Sequence, residues 1–186
     1  SRAGPATQVL EQAVTAAEEV SDAGQYVDLM VGIAMEYQRR GLRGAAARVG
    51  GYAASRARGQ PGIANQLQEL EGLARVYAAA DQLAEIRSFI SEIADPYVRS
   101  VLSVTVAERL AADGREGVAD DFLVDALLEA DETEYLSDSL RRDIAVGFAR
   151  TGNESLAIRT IERMSDRTLR AEALAWLGYY AAPRDG

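Results

Sequence analysis

The chain contains no cysteine, no histidine and no lysine, and each absence removes a class of chemistry. Without Cys or His there is no zinc finger, iron-sulfur cluster, histidine-ligated haem, cysteine nucleophile or Ser-His-Asp triad. Without Lys there is no Schiff base and no phosphate-gripping lysine of a P-loop. All 20 cations are arginine, set against 29 Asp plus Glu, for a net charge of -9. That balance repels a phosphate backbone, so nucleic acid is not expected as a partner. Long apolar runs are also missing. The longest uncharged apolar stretch, residues 173–183, is well short of the roughly 20 residues a membrane-spanning helix needs. A soluble chain is therefore expected. The start Ser1-Arg2-Ala3 lacks an initiator Met and suggests a processed or trimmed end. A chain without Cys suits the cytoplasm or, after signal removal, an exported location equally.

What is present is enough apolar material for one continuous core. Hydrophobic residues are 48% and charged residues 26% of 186, which fits a single unit spanning residues 1–186. The periodicity is helical nearly throughout, and an internal repeat organises it. Turns at Gly41, Asp81, Gly114, Gly152 and Asp185 can be laid on one another. Seven residues before each stands a small residue: Ala34, Ala74, Ala107, Ala145 and Gly178. Eight before stands an aliphatic: Ile33, Leu73, Val106, Ile144 and Leu177. Four before stand Tyr37, Tyr77, Leu110 and Phe148, with Ala181 breaking the row. Five after the first four turns come Ala46, Ile86, Ala119 and Ala157, and nine after come Gly50, Ile90, Leu123 and Ile161. Two antiparallel helices approach closely only where side chains are small, and the large residues one turn away fill the remaining space.

Helix-starting residues agree with this division. Asp95-Pro96 reads as an N-cap followed by proline at the first helical position, and Asn153-Glu154 opens a helix after Gly152. The stretches Asp95-Pro96-Tyr97-Val98-Arg99 and Asp166-Arg167-Thr168-Leu169-Arg170 occupy the same place before a first helix. The pattern predicts ten helices, at 6–20, 25–40, 42–57, 64–80, 82–93, 97–112, 115–130, 134–151, 153–164 and 168–182.

The paired helices, with a small residue before each turn and another after it, resemble tetratricopeptide (TPR-like) repeats over essentially the whole chain. The resemblance implies an all-α fold, a right-handed solenoid of antiparallel helix pairs. It also implies a concave groove lined by the first helices, in which a peptide or protein partner is held. Carried over by position, the groove residues are Asp28, Val31, Met35 and Gln38; Gln68, Glu71, Arg75 and Ala78; and Val101, Val104, Glu108 and Ala111. They continue with Ser139, Arg142, Val146 and Ala149, and finally Glu172, Ala175 and Tyr179. Apolar contacts mixed with separated charges suit an extended or helical peptide better than a phosphate-rich ligand.

Catalysis would have to rely on Asp, Glu, Tyr, Ser, Thr and Arg. The acidic groups are Glu18-Glu19 with Asp22, Asp120-Asp121 with Asp125, and Asp131-Glu132 with Glu134. None has the spacing and glycine of an EF-hand loop, so solvated helix faces and helix ends account for them better than a metal or an acid pair. Gly44, Gly50 and Gly51 precede no Lys-Ser or Lys-Thr and read as close helix packing. Asn153-Glu154-Ser155 matches a glycosylation sequon but sits where a cap is needed. No catalytic residue, metal or cofactor is assigned. The expectation is a non-catalytic interaction scaffold, with a self-associating module and a carboxylate-based enzyme as rivals. The self-association rival rests on the last helix, where Leu174, Trp176, Leu177, Tyr179 and Tyr180 surround the axis instead of forming one stripe. The preceding helix pair covers it, or a segment outside this sequence does, or Trp176 and Tyr180 contact a second copy in a homodimer. The first helix looks capped, with Val9, Leu10, Ala13, Val14 and Ala17 inward and Gln8, Glu11, Gln12, Thr15, Glu18 and Glu19 outward.

Overall fold

Asp22, Asp95 and Asp166 each stand in extended backbone just before a helix and accept hydrogen bonds from the first free amides inside it. Asp95 takes Tyr97 N–H at 2.9 Å and Val98 N–H at 3.5 Å, and Asp166 takes Thr168 and Leu169 at 2.8 and 3.0 Å. Ser137 and Asn153 do the same for Leu140 and Leu156. These side chains satisfy donors that have no partner within the helix, which is why the chain starts helices there.

Four helices close their other ends with a left-handed residue. Gly41, Gly114 and Gly152 have φ of 73°, 72° and 82°, and Asp81 is the non-glycine among them at 62°. In all four turns the following amide reaches back to the carbonyl five residues earlier: Leu42 to Tyr37, Gln82 to Tyr77, Arg115 to Leu110 and Asn153 to Phe148, at 2.8–3.0 Å. The left-handed residue itself donates to the carbonyl three back. This double closure caps the helix and turns the chain sharply. The row of large residues four before each turn therefore supplies the carbonyl that the turn needs.

The computed structural model describes residues 4–58, 67–132 and 137–182. They form ten helices and, among the described residues, no strand: α1 Pro5–Glu18, α2 Ala23–Arg39, α3 Arg43–Arg58, α4 Leu67–Ala79, α5 Leu83–Ser91, α6 Pro96–Ala112, α7 Glu116–Glu132, α8 Asp138–Arg150, α9 Glu154–Glu162 and α10 Arg167–Ala181. The ten predicted helices match these within a few residues, the starts at 64 and 134 and the turn at Asp185 lying outside the described residues. The protein is all-α, built of paired adjacent helices.

The contacts divide the chain into two compact units, Ser1–Glu92 and Ile93–Gly186. In the first, α2 packs on α3 and α4, α3 on α4, α4 on α5, and α1 on α2. In the second, α6 packs on α7 and α8, α7 on α8, α8 on α9 and α10, and α9 on α10. Within each unit, a first helix thus touches its own second helix and the next first helix, while the second helix touches that next first helix too. The cores hold Met30, Tyr37, Leu70, Leu73 and Ile86 in one unit and Leu102, Leu110, Phe122, Leu123, Ile144 and Phe148 in the other.

The antiparallel register can be measured. Fifteen before Gly41 stands Tyr26, whose ring lies 5.5 Å below the guanidinium of Arg56, fifteen after. Fifteen before Gly114 stands Arg99, which is ion-paired to Glu129, fifteen after. Asp138, fourteen before Gly152, accepts from Ser165 N–H and Oγ at 2.9 and 2.8 Å and from Asp166 N–H at 2.5 Å. A residue before a turn therefore lies beside the residue equally far after it. These hydrogen bonds, above all the Asp166 amide, hold the Asp138 carboxyl below its ordinary range.

Close approaches occur where glycine faces a large side chain. A Cβ on Gly50 would meet Val76 Cγ1 at 3.0 Å, one on Gly72 would meet Val31 Cγ1 at 2.7 Å, and one on Gly147 would meet Leu123 Cδ2 at 2.6 Å. Gly44 and Gly51 have nothing within 4 Å, so the close-packing reading holds for Gly50 and fails for those two, which point away from neighbouring helices. Ala34, Ala74, Ala107 and Ala145 are buried as expected. Gly178 is not: it is exposed with nothing within 4 Å, because no described helix lies against that side of α10.

Candidate partner-binding surface

Along α2, α4, α6 and α8, positions seven and four before the turn are buried while the position six before the turn faces outward; in α10 the residues at all three positions, Gly178, Tyr179 and Ala181, are exposed. This row comprises Met35 and Arg75 in the first unit, and Glu108, Val146 and Tyr179 in the second; Val146 is half-buried and the others are exposed. Helical geometry dictates the difference, since positions six and seven before the turn are about 100° apart around the axis.

The other expected groove residues divide into three groups. Asp28, Gln68, Glu172 and Ala175 are exposed, while Gln38, Glu71, Val101, Ala111, Ser139 and Arg142 are half-buried. Ala78 and Ala149 are buried, and Val31 and Val104 are only 6% exposed. Val31 fills the space over Gly72, so it joins α2 to α4 and offers no open face. A first helix covers its neighbour with the same edge that borders the outer face, and alternating large and small residues there do not reveal which lies outermost.

Several polar residues on this face have partners on their own or a neighbouring helix. Arg75 pairs with Glu71 at 3.0 Å, one turn away. Arg142 binds Asp143 at 2.8 Å and reaches Glu172 of α10 at 3.4 Å, bringing together two expected groove residues from different helices. The Asp143 carboxylate, with Glu172 beyond it, raises the Arg142 pKa above its usual value. Gln38 donates to the Val76 carbonyl at 2.7 Å and so ties α2 to α4. Glu36, on the flank of α2, has its pKa lowered by the Arg40 hydrogen bond and by Arg39.

Within the first two acidic clusters, Asp22 and Asp120 have structural tasks. Asp22 caps α2, and Asp120 accepts from Thr151 and from Asn153 Nδ2, the latter at 3.0 Å, which ties α7 to the α8–α9 turn. Glu134 and the side chains of Asp131 and Glu132 lie outside the described residues. No group of three or more Asp or Glu is gathered to hold a metal among the described residues. Asn153 caps α9, as its position suggested. No described helix is long and apolar enough to cross a membrane.

The last helix differs from the other first helices. Leu169, Ala173 and Leu177 pack against Ala145, Ile161 and Met164, giving α10 one inner stripe. Among the described residues, nothing covers its remaining apolar residues: Leu174 is 49%, Trp176 47% and Tyr179 63% exposed. The three rings gather on one another instead, Trp176 edge-to-face with Tyr179 at 5.8 Å and stacked with Tyr180 at 5.9 Å. Tyr180 is half-buried because Arg150 lies 5.6 Å over its ring and donates to its hydroxyl at 3.2 Å. At the other end, α1 buries Leu10 and Ala17 and turns Gln8, Glu11, Gln12, Thr15 and Glu19 outward, although Val9 is exposed.

The chain matches no family model, no curated protein and no solved structure. The class defined by fold and surface is that of an all-helical protein of paired helices.

Proposed function

We propose that the protein is a non-catalytic protein-interaction scaffold, a right-handed TPR-like solenoid that holds a peptide or protein segment against its first helices. The observation that carries this reading is the outward row six before each turn. In each unit it runs across neighbouring first helices and combines Met35 with Arg75, or Glu108 with Val146 and Tyr179. Separated charges between apolar contacts favour a segment that is itself mixed, with specificity from the charges and affinity from the apolar positions. Arg75 and Arg142 already have carboxylate partners, so reversing them would disturb the fold as well as the surface. Met35 and Glu108 test the reading more cleanly. Met35→Glu and Glu108→Arg should abolish capture of a binding partner from native lysate while leaving stability within about 0.5 kcal/mol of the parent. Undiminished capture by the double variant would overturn the reading.

A further inference from the structure

The exposed side of α10 repeats a face that α6 uses inside the same unit. Both helices are capped by an aspartate, Asp95 and Asp166, so positions can be matched by counting from the cap. On α6 the face is Ser100, Ser103, Ala107 and Leu110, all buried, with Ser100 Oγ donating to the Ala126 carbonyl of α7 at 3.2 Å. On α10 the matching residues are Ala171, Leu174, Gly178 and Ala181, and all four are exposed. The counterpart of Arg99, which is paired to Glu129 near the end of α7, is Arg170. It is exposed and makes no ion pair among the described residues. The face thus matches in register an interface the protein already forms, and where that interface has a salt bridge it carries a cation with no ion-pair partner among the described residues.

We infer that the face of α10 formed by Arg170, Ala171, Leu174, Gly178 and Ala181 is a docking site for an amphipathic helix of a partner protein, received antiparallel as α7 is received by α6. The occupant resembles α7 in chemistry. It presents an inner stripe of small and apolar residues, as Ala119, Phe122 and Ala126 do, and a carboxylate near its C-terminal end to meet Arg170. Gly178 admits the helix backbone closely, and Leu174 supplies the apolar contact beside it. The polar outer face of α1 makes the corresponding end of a second copy a poor occupant, since that contact would bury two carboxylates, Glu11 and Glu19, against the single cation of this face, Arg170. This inference does not depend on the first-helix ledge, which uses different residues.

Trp176, the single tryptophan, lies on α10 half-exposed and reports on the site by fluorescence. The probe is a capped synthetic peptide of residues 115–130 of this chain, titrated into the intact protein. Saturable quenching or a blue shift of the emission is expected, abolished by Gly178→Arg, whose bulk blocks the seat. Arg170→Glu should weaken binding about three- to fivefold, and a peptide carrying Glu129→Arg should restore it. Glu108→Arg, in the outward row of the same unit, should leave the peptide titration unchanged, which separates this site from that row. Both α10 substitutions are at exposed positions, and far-ultraviolet circular dichroism checks that each variant is folded. An unchanged emission up to millimolar peptide, or binding indifferent to both α10 variants, overturns the inference. It is also overturned if wild-type protein alone doubles in mass with a blue-shifted emission that Trp176→Glu with Tyr180→Glu removes, because the occupant is then a second copy.

Discussion

Left-handed backbone brings Cβ against a carbonyl oxygen and costs an L residue about 1–2 kcal/mol, so identical substitutions at two nearby glycines should have opposite effects. Gly114 has φ of 72°, whereas Gly117 is an exposed residue inside α7 with nothing within 4 Å of its Cβ position. In urea unfolding, Gly114→Ala should lose about 1–2 kcal/mol, and Gly117→Ala should gain up to about 1 kcal/mol from helix propensity. Asp138 gives a second residue-scale prediction. Its pKa is lowered in the folded state by three hydrogen bonds from Ser165 and Asp166. The stabilisation is therefore complete above the ordinary carboxylate range, starts to fall near pH 4, and is lost as pH drops through the lower folded value. Asp138→Ala should cost about 1–3 kcal/mol at pH 7, and the gap from wild type should narrow steadily between pH 5 and pH 2. A gap independent of pH would mean that the carboxylate charge contributes nothing. The left-handed turns were legible in the sequence because four glycine or aspartate residues recur at one offset from large residues. The Asp138 tie was not, because its partners lie 27 and 28 residues away and a lone aspartate near a helix start reads as an ordinary cap.

Between helices, the recurring contact is conserved in geometry and exchanged in chemistry. The position nine after one turn meets the position five before the next. In the first unit the pair is Gly50 with Val76, and in the second it is Leu123 with Gly147. Each keeps one large and one absent side chain, on opposite helices. Gly147→Ala would place Cβ 2.6 Å from Leu123 Cδ2, an overpacking expected to cost about 1–3 kcal/mol. Leu123→Ala alone would leave a cavity and cost about 2–5 kcal/mol. Combined, the two should cost less than their sum by at least about 0.5 kcal/mol, because the shortened side chain makes room for the new methyl. Strict additivity in a double-mutant cycle would show that they do not share this space. Reading the row nine after each turn alone, Gly50 and Leu123 look inconsistent, and Gly72 and Gly147 do not stand out. Only the pairing of helices shows which residue compensates which. The same reason explains why Gly44 and Gly51 were read as packing positions: a glycine's role depends on what stands opposite, and spacing along one helix does not contain that.

For the molecule as a whole, a net charge of -9 and the absence of lysine and histidine govern long-range behaviour. A labelled DNA duplex in about 50 mM salt should show no binding by anisotropy, since there is little net phosphate neutralisation to drive counterion release. A tight complex with a steep salt dependence would contradict this. The all-helical class, the ten helices, the four described left-handed turns and the pairing of neighbours were determined by the sequence, because caps, left-handed residues and helical periodicity act within a few residues of one another. Tertiary structure decided which edge of each first helix stays in water. Val31 and Val104 are buried while Met35 and Glu108 are exposed, although all four lie near the expected groove. It also decided that Gly178 and Leu174 lie open, despite matching positions buried in α6. Exposure depends on whether another helix occupies the space beside a residue, and that space is filled by chain some 30 residues distant.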